Sequence, residues 1–231
     1  MTQGKQTKKD IVLKLSISAL CAAAFIILVI LLLTVDRAPS GETLTVVGLS
    51  SFNSAVFSLL GKSDTWYTIS KLLGYAEIAS IAFFAMLGTY QWIRRKKLSL
   101  IDRELFALAA LYVIMAVIYV IFELIVINCR PVFSDGTAEA SFPSSHSLIA
   151  IFTTASAALE AGRRLQKKIA IPVIALCVTV GALTVIGRLL GGVHWATDII
   201  GSLLLGGVFI PLYDVAALCL REKQNRNNLP Q

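Results

Sequence analysis

In the stretch "HWATD", His194 and Asp198 stand four residues apart. On a helix that spacing places them one turn apart on one face. A carboxylate there accepts the Nδ1–H of the imidazole, fixes the tautomer and leaves Nε2 free and more basic. This is how an oriented nucleophile is built. A second stretch, "FPSSH", sets Pro143, Ser144, Ser145 and His146 just ahead of a long apolar run. Free backbone N–H groups at a helix start point at an anion, and the helix dipole assists. Ser144 and Ser145 add hydroxyl donors, and His146 is placed to give a proton to a leaving oxygen. Arg130 and Arg188 carry fixed, fork-shaped charge suited to phosphate oxygens. The set describes a cradle for a phosphoryl group, and it contains both histidines of the chain.

The elements that must position these residues are apolar helices. The chain has 231 residues, 56% hydrophobic and 15% charged, with a mean hydropathy of +0.76. A soluble domain carries about 25% charged residues, and a bilayer-spanning helix needs roughly 20 mostly apolar ones. Six such runs are predicted: Ile11 to Val35, Trp66 to Ile93, Leu105 to Ile127, Ser144 to just before Arg163, Ile169 to Leu190, and His194 to just before Arg221. The first is too long for a signal-peptide core, and no small-residue cleavage site follows it. The expected fold is therefore all-α: a polytopic membrane protein in one domain, residues 1–231, built as a six-transmembrane-helix bundle. Residues 1–10 and 222–231 are expected to be cytoplasmic tails, the latter polar and disordered. Residues 36–65 form an outer loop. In it, Val46, Val47, Leu49, Phe52, Val56, Phe57, Leu59 and Leu60 define one broad face of a short helix, lying on the membrane or packed on the bundle.

Basic residues set the orientation. Lys5, Lys8 and Lys9, then Arg94 to Lys97 with Arg103, then Arg163, Arg164, Lys167 and Lys168, then Arg221, Lys223 and Arg226 fall on one side of a six-span chain. That side is expected to be the cytoplasm of a cell membrane, with both termini inside. The net charge of +7 is thus a topology and lipid-headgroup signal and gives no reason to expect nucleic acid as a partner. The four cysteines do not match in depth as pairs, so Cys21, Cys129, Cys177 and Cys219 read as free. With this topology Glu123, Arg130, His146, Arg188, His194 and Asp198 converge on the outer face from distant parts of the chain. Ionisable residues near a bilayer core are costly and mark function by default.

On these residues the sequence resembles the type 2 phosphatidic acid phosphatase (PAP2) superfamily of membrane lipid phosphatases. The family signature is Lys, six residues, Arg-Pro; then Pro-Ser-Gly-His; then Ser-Arg, five residues, His, three residues, Asp. Here these read "ELIVINCRP", Glu123 to Pro131; "PSSH", Pro143 to His146; and "GRLLGGVHWATD", Gly187 to Asp198. The resemblance implies that His194 is the nucleophile, forming a phosphohistidine, and that Asp198 orients it. It implies that His146 protonates the leaving group, and that Arg130, Arg188, Ser144 and Ser145 hold the phosphoryl oxygens. It implies no metal and no cofactor, and the sequence has no dense carboxylate cluster to hold one. The implied partners are the bilayer and a membrane lipid phosphate: undecaprenyl pyrophosphate, phosphatidylglycerol phosphate, phosphatidic acid or a lipid A-type phosphate. A phosphotransferase, or a lipid-phosphate binder or scramblase with little turnover, is the competing reading.

Three positions depart from the signature. Ser145 replaces Gly, Gly187 replaces Ser, and Glu123 replaces the phosphate-binding Lys. A carboxylate repels a phosphate dianion, so Glu123 is expected to pair with Arg130 or Arg188 and support it, or to be protonated and donate a hydrogen bond. Lys71, near the outer end of the second span, either supplies the missing charge or snorkels to the interface. Glu77 lies deeper in the same span.

Overall fold

The computed structural model describes the backbone of residues 2–133 and 136–227, and the side chains of 8–133 and 136–224. Seven α-helices occur among them: α1 Thr2–Thr34, α2 Ser50–Leu60, α3 Asp64–Arg95, α4 Arg103–Leu124, α5 Ser145–Arg164, α6 Lys167–Leu190 and α7 Ala196–Asn227. Two three-residue strands, β1 Ala38–Ser40 and β2 Thr45–Val47, form an antiparallel pair between α1 and α2.

Five helices are long and apolar enough to cross a membrane: α1, α3, α4, α6 and α7. The fourth predicted run becomes α5, which falls outside that set for a physical reason. It packs against α3, α4, α6 and α7 together. Its buried residues include Ser147, Thr153, Ser156 and Glu160 beside Leu148 and Phe152. A helix walled in by other helices is free to carry polar groups that lipid would reject. The other long helices turn the opposite character outward: Leu20, Ile78, Val113, Leu176 and Leu203 are all exposed. On a multi-pass membrane protein such a surface faces acyl chains.

The apolar core joins Leu105, Leu108 and Met115 of α4 to Leu148 and Phe152 of α5 and Leu205 of α7. Small residues let helices close where lipid supplies no hydrophobic drive between them. At Gly207 an added Cβ would come 2.5 Å from Cys21 Sγ, which is how α1 lies tight on α7. Polar groups inside the bundle find partners. Thr184 Oγ1 donates to Glu77 at 2.7 Å, and the Tyr112 hydroxyl meets Ser156 Oγ at 3.0 Å.

At the end of the bundle that bears the basic segments, the helix termini are tied by charge. Asp102 accepts from Arg95 at 2.9 Å and from Arg164 at 2.8 Å. Glu160 accepts from Arg164 Nε at 2.6 Å and from the Tyr213 hydroxyl at 2.7 Å. Arg163 bridges Glu160 and Asp214, and Asp214 also pairs with Lys14. The network ties α1, α3, α5 and α7, and Asp102 just before α4. Burial opposes the charge on Asp102, but the Arg164, Arg95 and Gln91 hydrogen bonds outweigh it and hold the carboxyl below its usual range.

Several sequence expectations change. The outer-loop helix starts only at Ser50. Val46 and Val47 belong to β2, and Leu49 sits in the left-handed region ahead of the helix. Helix α4 stops at Leu124 rather than Ile127. The chain leaves it so that Asn128 to Arg130 can pair with Glu139 to Ser141, through Arg130 N–H to Glu139 O at 2.9 Å and Ser141 N–H to Asn128 O at 2.9 Å. Helix α7 begins at Ala196, after His194, and runs on to Asn227, so Glu222 to Asn227 are helical rather than disordered. Residues 228–231 of the expected tail lie outside the described residues, as do the side chains of Lys5 and Arg226.

Candidate active site

At the end opposite the basic segments, four chain segments meet. The first is the paired strip around Arg130. Trp195 Nε1 donates to the Cys129 carbonyl at 2.7 Å, which locks that strip to the start of α7. The second is the N-terminus of α5. Ser144 caps it, its Oγ accepting from Ser147 N–H at 3.4 Å, while its own N–H donates to the Asp198 carbonyl at 3.2 Å. Ser144 is thus committed to the scaffold, and Ser145 is the serine on the cavity wall, with His146 one residue further on. The third is the last turn of α6, which carries Arg188, 1% exposed and with its guanidinium 5.4 Å from the centre of the Tyr67 ring. The fourth is the turn from Gly191 to Trp195, which delivers His194.

His194 Nδ1 lies 3.2 Å from the Ser141 carbonyl oxygen and 3.4 Å from Asp198 Oδ2. A carbonyl oxygen can only accept, so Nδ1 carries the proton and Nε2 presents its lone pair. The sequence places Asp198 in this role alone. The structure adds Ser141, and gives Asp198 Oδ2 a second duty, accepting the Trp195 N–H at 2.9 Å. The reason is the late start of α7: His194 precedes the helix, and Asp198 caps the turn that holds it.

Eight buried side-chain polar atoms find no hydrogen-bond partner among the described residues. They belong to Asn128, Arg130, Ser141, His146, Ser147, Arg188, His194 and Asp198. Buried polar atoms are paired almost everywhere in folded proteins. Here the exceptions fall in two short segments that meet at one place, and they include His194 Nε2, His146 Nδ1 and Nε of both arginines. Arg130 and Arg188 are fixed cations, and their buried Nε atoms belong to the same unpaired set as the two imidazoles. The cluster therefore offers a bare imidazole nitrogen beside converging positive charge.

Glu123 departs from the expectation. It is exposed and makes no ion pair with Arg130 or Arg188. Arg130 pairs instead with Glu139, at 3.3 Å. With α4 ending at Leu124, no helix continues from Glu123 toward Arg130. Glu123 lines the cavity that His194, Ser145 and Ser141 also line. Gly187 has its own explanation. A Cβ there would come 2.8 Å from Ser70 Cβ and 3.1 Å from the Trp66 carbonyl oxygen, so α3 leaves no room for serine. Sequence reasoning also missed Asn53. Its Oδ1 accepts the Thr197 N–H at 3.2 Å and its Nδ2 donates to Thr197 Oγ1 at 3.0 Å, so α2 holds the start of α7. The one signal was an asparagine on the otherwise apolar face of that loop. Among the described residues, no three His, Cys, Asp or Glu side chains gather as metal ligands would.

Residues 123–217 match the family model of the PAP2 superfamily. The match spans every motif residue of the site. No curated protein matches the chain. Among solved structures, the fold is similar to a transmembrane PAP2-type phosphatidylglycerolphosphate phosphatase from Bacillus subtilis. The TM-score is 0.61 at 16% identity, over 85% of this chain and 93% of that one. The chain is a polytopic membrane protein with a PAP2-type fold.

Proposed function

We propose that the protein is an integral-membrane lipid phosphatase that hydrolyses a phosphate monoester or pyrophosphate of a membrane lipid through a phosphohistidine. The observation that carries this is His194. Its Nδ1–H is held by the Ser141 carbonyl, Asp198 lies at 3.4 Å, and its buried Nε2 is unpartnered among the described residues. Nε2 attacks phosphorus, the bond to the leaving oxygen breaks, and His146 donates the proton that oxygen needs. Water, with His146 now as base, cleaves the N–P bond and releases phosphate. Arg130, Arg188 and the backbone N–H groups at the start of α5 neutralise the developing charge, so the reading calls for no metal ion.

The basic segments stand at the far end of the bundle from the site. That favours cytoplasmic termini in a cell membrane and a site facing outside. A phosphotransferase would share every step up to the acceptor. A low-turnover lipid-phosphate binder is favoured by one observation, the carboxylate of Glu123 on the cavity wall, which makes no ion pair among the described residues. Phosphate release from purified protein, over undecaprenyl pyrophosphate, phosphatidylglycerol phosphate and phosphatidic acid, tests the reading with His194→Ala as the blank. Vanadate should inhibit and EDTA should not. Complete loss in EDTA restored by Mg²⁺ counts against it.

A further inference from the structure

The charged end of the bundle, opposite His194, encloses a cavity of about 590 Å³, within the size range of ligand pockets. Arg95, Arg163, Arg164 and Arg221 line it together with Asp102 and Glu104. Most of this charge is matched. Arg95 and Arg164 meet Asp102, Arg164 also meets Glu104, and Arg163 meets Glu160 and Asp214. Arg221 is the exception. Both its Nη atoms donate to the Arg163 carbonyl at 3.3 Å, and it makes no ion pair among the described residues. The cavity wall thus carries a cation with no carboxylate of its own. An apolar groove of about 250 Å³ lies beside it, between α3 and the start of α4. Phe84, Gly88 and Trp92 form one side, and Ile101 and Leu105 the other. Trp92 precedes Arg95 by one turn of α3, and Leu105 follows Asp102 by one turn, so groove and cavity meet within about 5 Å along the helices. Glycine inside a helix is unfavourable relative to alanine. At Gly187 and Gly207 a close approach explains it; at Gly88 an added Cβ would meet nothing within 4 Å. Gly88 therefore leaves open space on the groove wall.

We propose that cavity and groove together bind an anionic phospholipid of the leaflet on the basic side, with its phosphodiester at Arg221 and one acyl chain along Gly88. Basic pockets between spanning helices take lipid headgroups in this way. A phosphodiester carries a single negative charge, which matches the single unpaired cation. A soluble anion would leave the groove unused. A zwitterionic lipid would fill the groove but bring its own cation against the arginines. The bound lipid joins the inner ends of α3, α4, α5 and α7, the elements that supply the cavity wall. The inference is independent of the phosphatase reading, since the site shares no residue with the cluster around His194.

The experiment uses the full chain in phosphatidylcholine nanodiscs and lipids with brominated acyl chains, which quench a tryptophan they touch. Trp92 stands on the groove, and subtracting the signal of Trp92→Phe isolates it from Trp66 and Trp195. The readout is the association of brominated phosphatidylglycerol relative to brominated phosphatidylcholine. Wild type should prefer phosphatidylglycerol at least about fivefold, the scale of one basic residue at an anionic membrane surface. Arg221→Gln should bring the ratio toward one. Lys167→Gln removes the same charge from an exposed position outside the cavity and should leave the ratio unchanged. Gly88→Leu fills the groove and should lower the ratio; Ala85→Phe, from an exposed position one turn away, repeats that test if Gly88→Leu lowers the thermal midpoint. A wild-type ratio near one, or a preference that survives Arg221→Gln, overturns the proposal. A preference lost equally in Lys167→Gln assigns it to diffuse surface charge and overturns it too. So does a preference untouched by both groove-filling variants, or inorganic phosphate competing as well as the lipid does, since either reduces the cavity to a site for a free anion.

Discussion

Asp198 divides its Oδ2 between the Trp195 N–H and the edge of the His194 ring, while the Ser141 carbonyl is the nearer acceptor for Nδ1. Removing its charge should therefore not free the ring. Asp198→Asn is expected to lower kcat with little change in KM, and by less than His194→Ala does. A steady-state comparison of the two variants checks this, and equal loss in both would assign the orientation to Asp198 alone. The motif residues were legible because each needs a rare side chain at a set spacing: two histidines, two arginines, one aspartate. Ser141 was not, because it acts through a backbone carbonyl that any residue supplies. The expected pairing of Glu123 with an arginine failed for a related reason. It assumed that a helix continued past Leu124, and strand-like pairing of residues 128–130 with 139–141 overrode the apolar pattern of Ile125 to Ile127.

At the scale of elements, α3 and α6 approach so closely at Gly187 that the position tolerates no side chain. Gly187→Ser should drive Ser70 aside and destabilise the protein by about 1–3 kcal/mol, the usual cost of overpacking. Ser70→Gly in the same chain should recover most of the thermal midpoint, a coupling that independent sites would not show. Apolar run length and hydropathy placed the long lipid-facing helices well, because lipid constrains their composition over many turns. Helix α5 was placed mainly by its ends, Ser144 before and Arg163-Arg164 after, since its walled-in interior escapes that constraint. Helix α2 and the β1–β2 pair were only partly legible. Their order depends on Asn53 and Asn128 reaching the Thr197 hydroxyl and the Gly48 N–H, contacts far apart in sequence.

Across the whole molecule, a charge network closes one end and an unsatisfied polar cluster occupies the other. Glu160, 1% exposed, receives Arg163, Arg164 and Tyr213. Glu160→Ala removes the partner the two arginines share but leaves Arg163 its Asp214 and Arg164 its Asp102, and should cost about 1–3 kcal/mol in a micelle unfolding assay; Glu160→Gln should cost less. Asp102, held below its usual range when folded, contributes stability that is complete above its unfolded pKa of roughly 4. That contribution is lost as pH falls through the lower folded value. Asp102→Asn should therefore flatten stability on the acid side. The orientation proposed from the two ends, with the site outside, is open to test. Ala138→Cys, in a Cys129→Ser background, should react with an impermeant thiol reagent in intact cells, and labelling only after lysis would invert the topology. The central claim, that His194 Nε2 takes the phosphoryl group, is tested most directly by phosphate release from the best lipid substrate with wild type and His194→Ala side by side. The account predicts a loss of at least about 10²-fold in the variant, with its fold and thermal midpoint retained; near wild-type release by His194→Ala would contradict it.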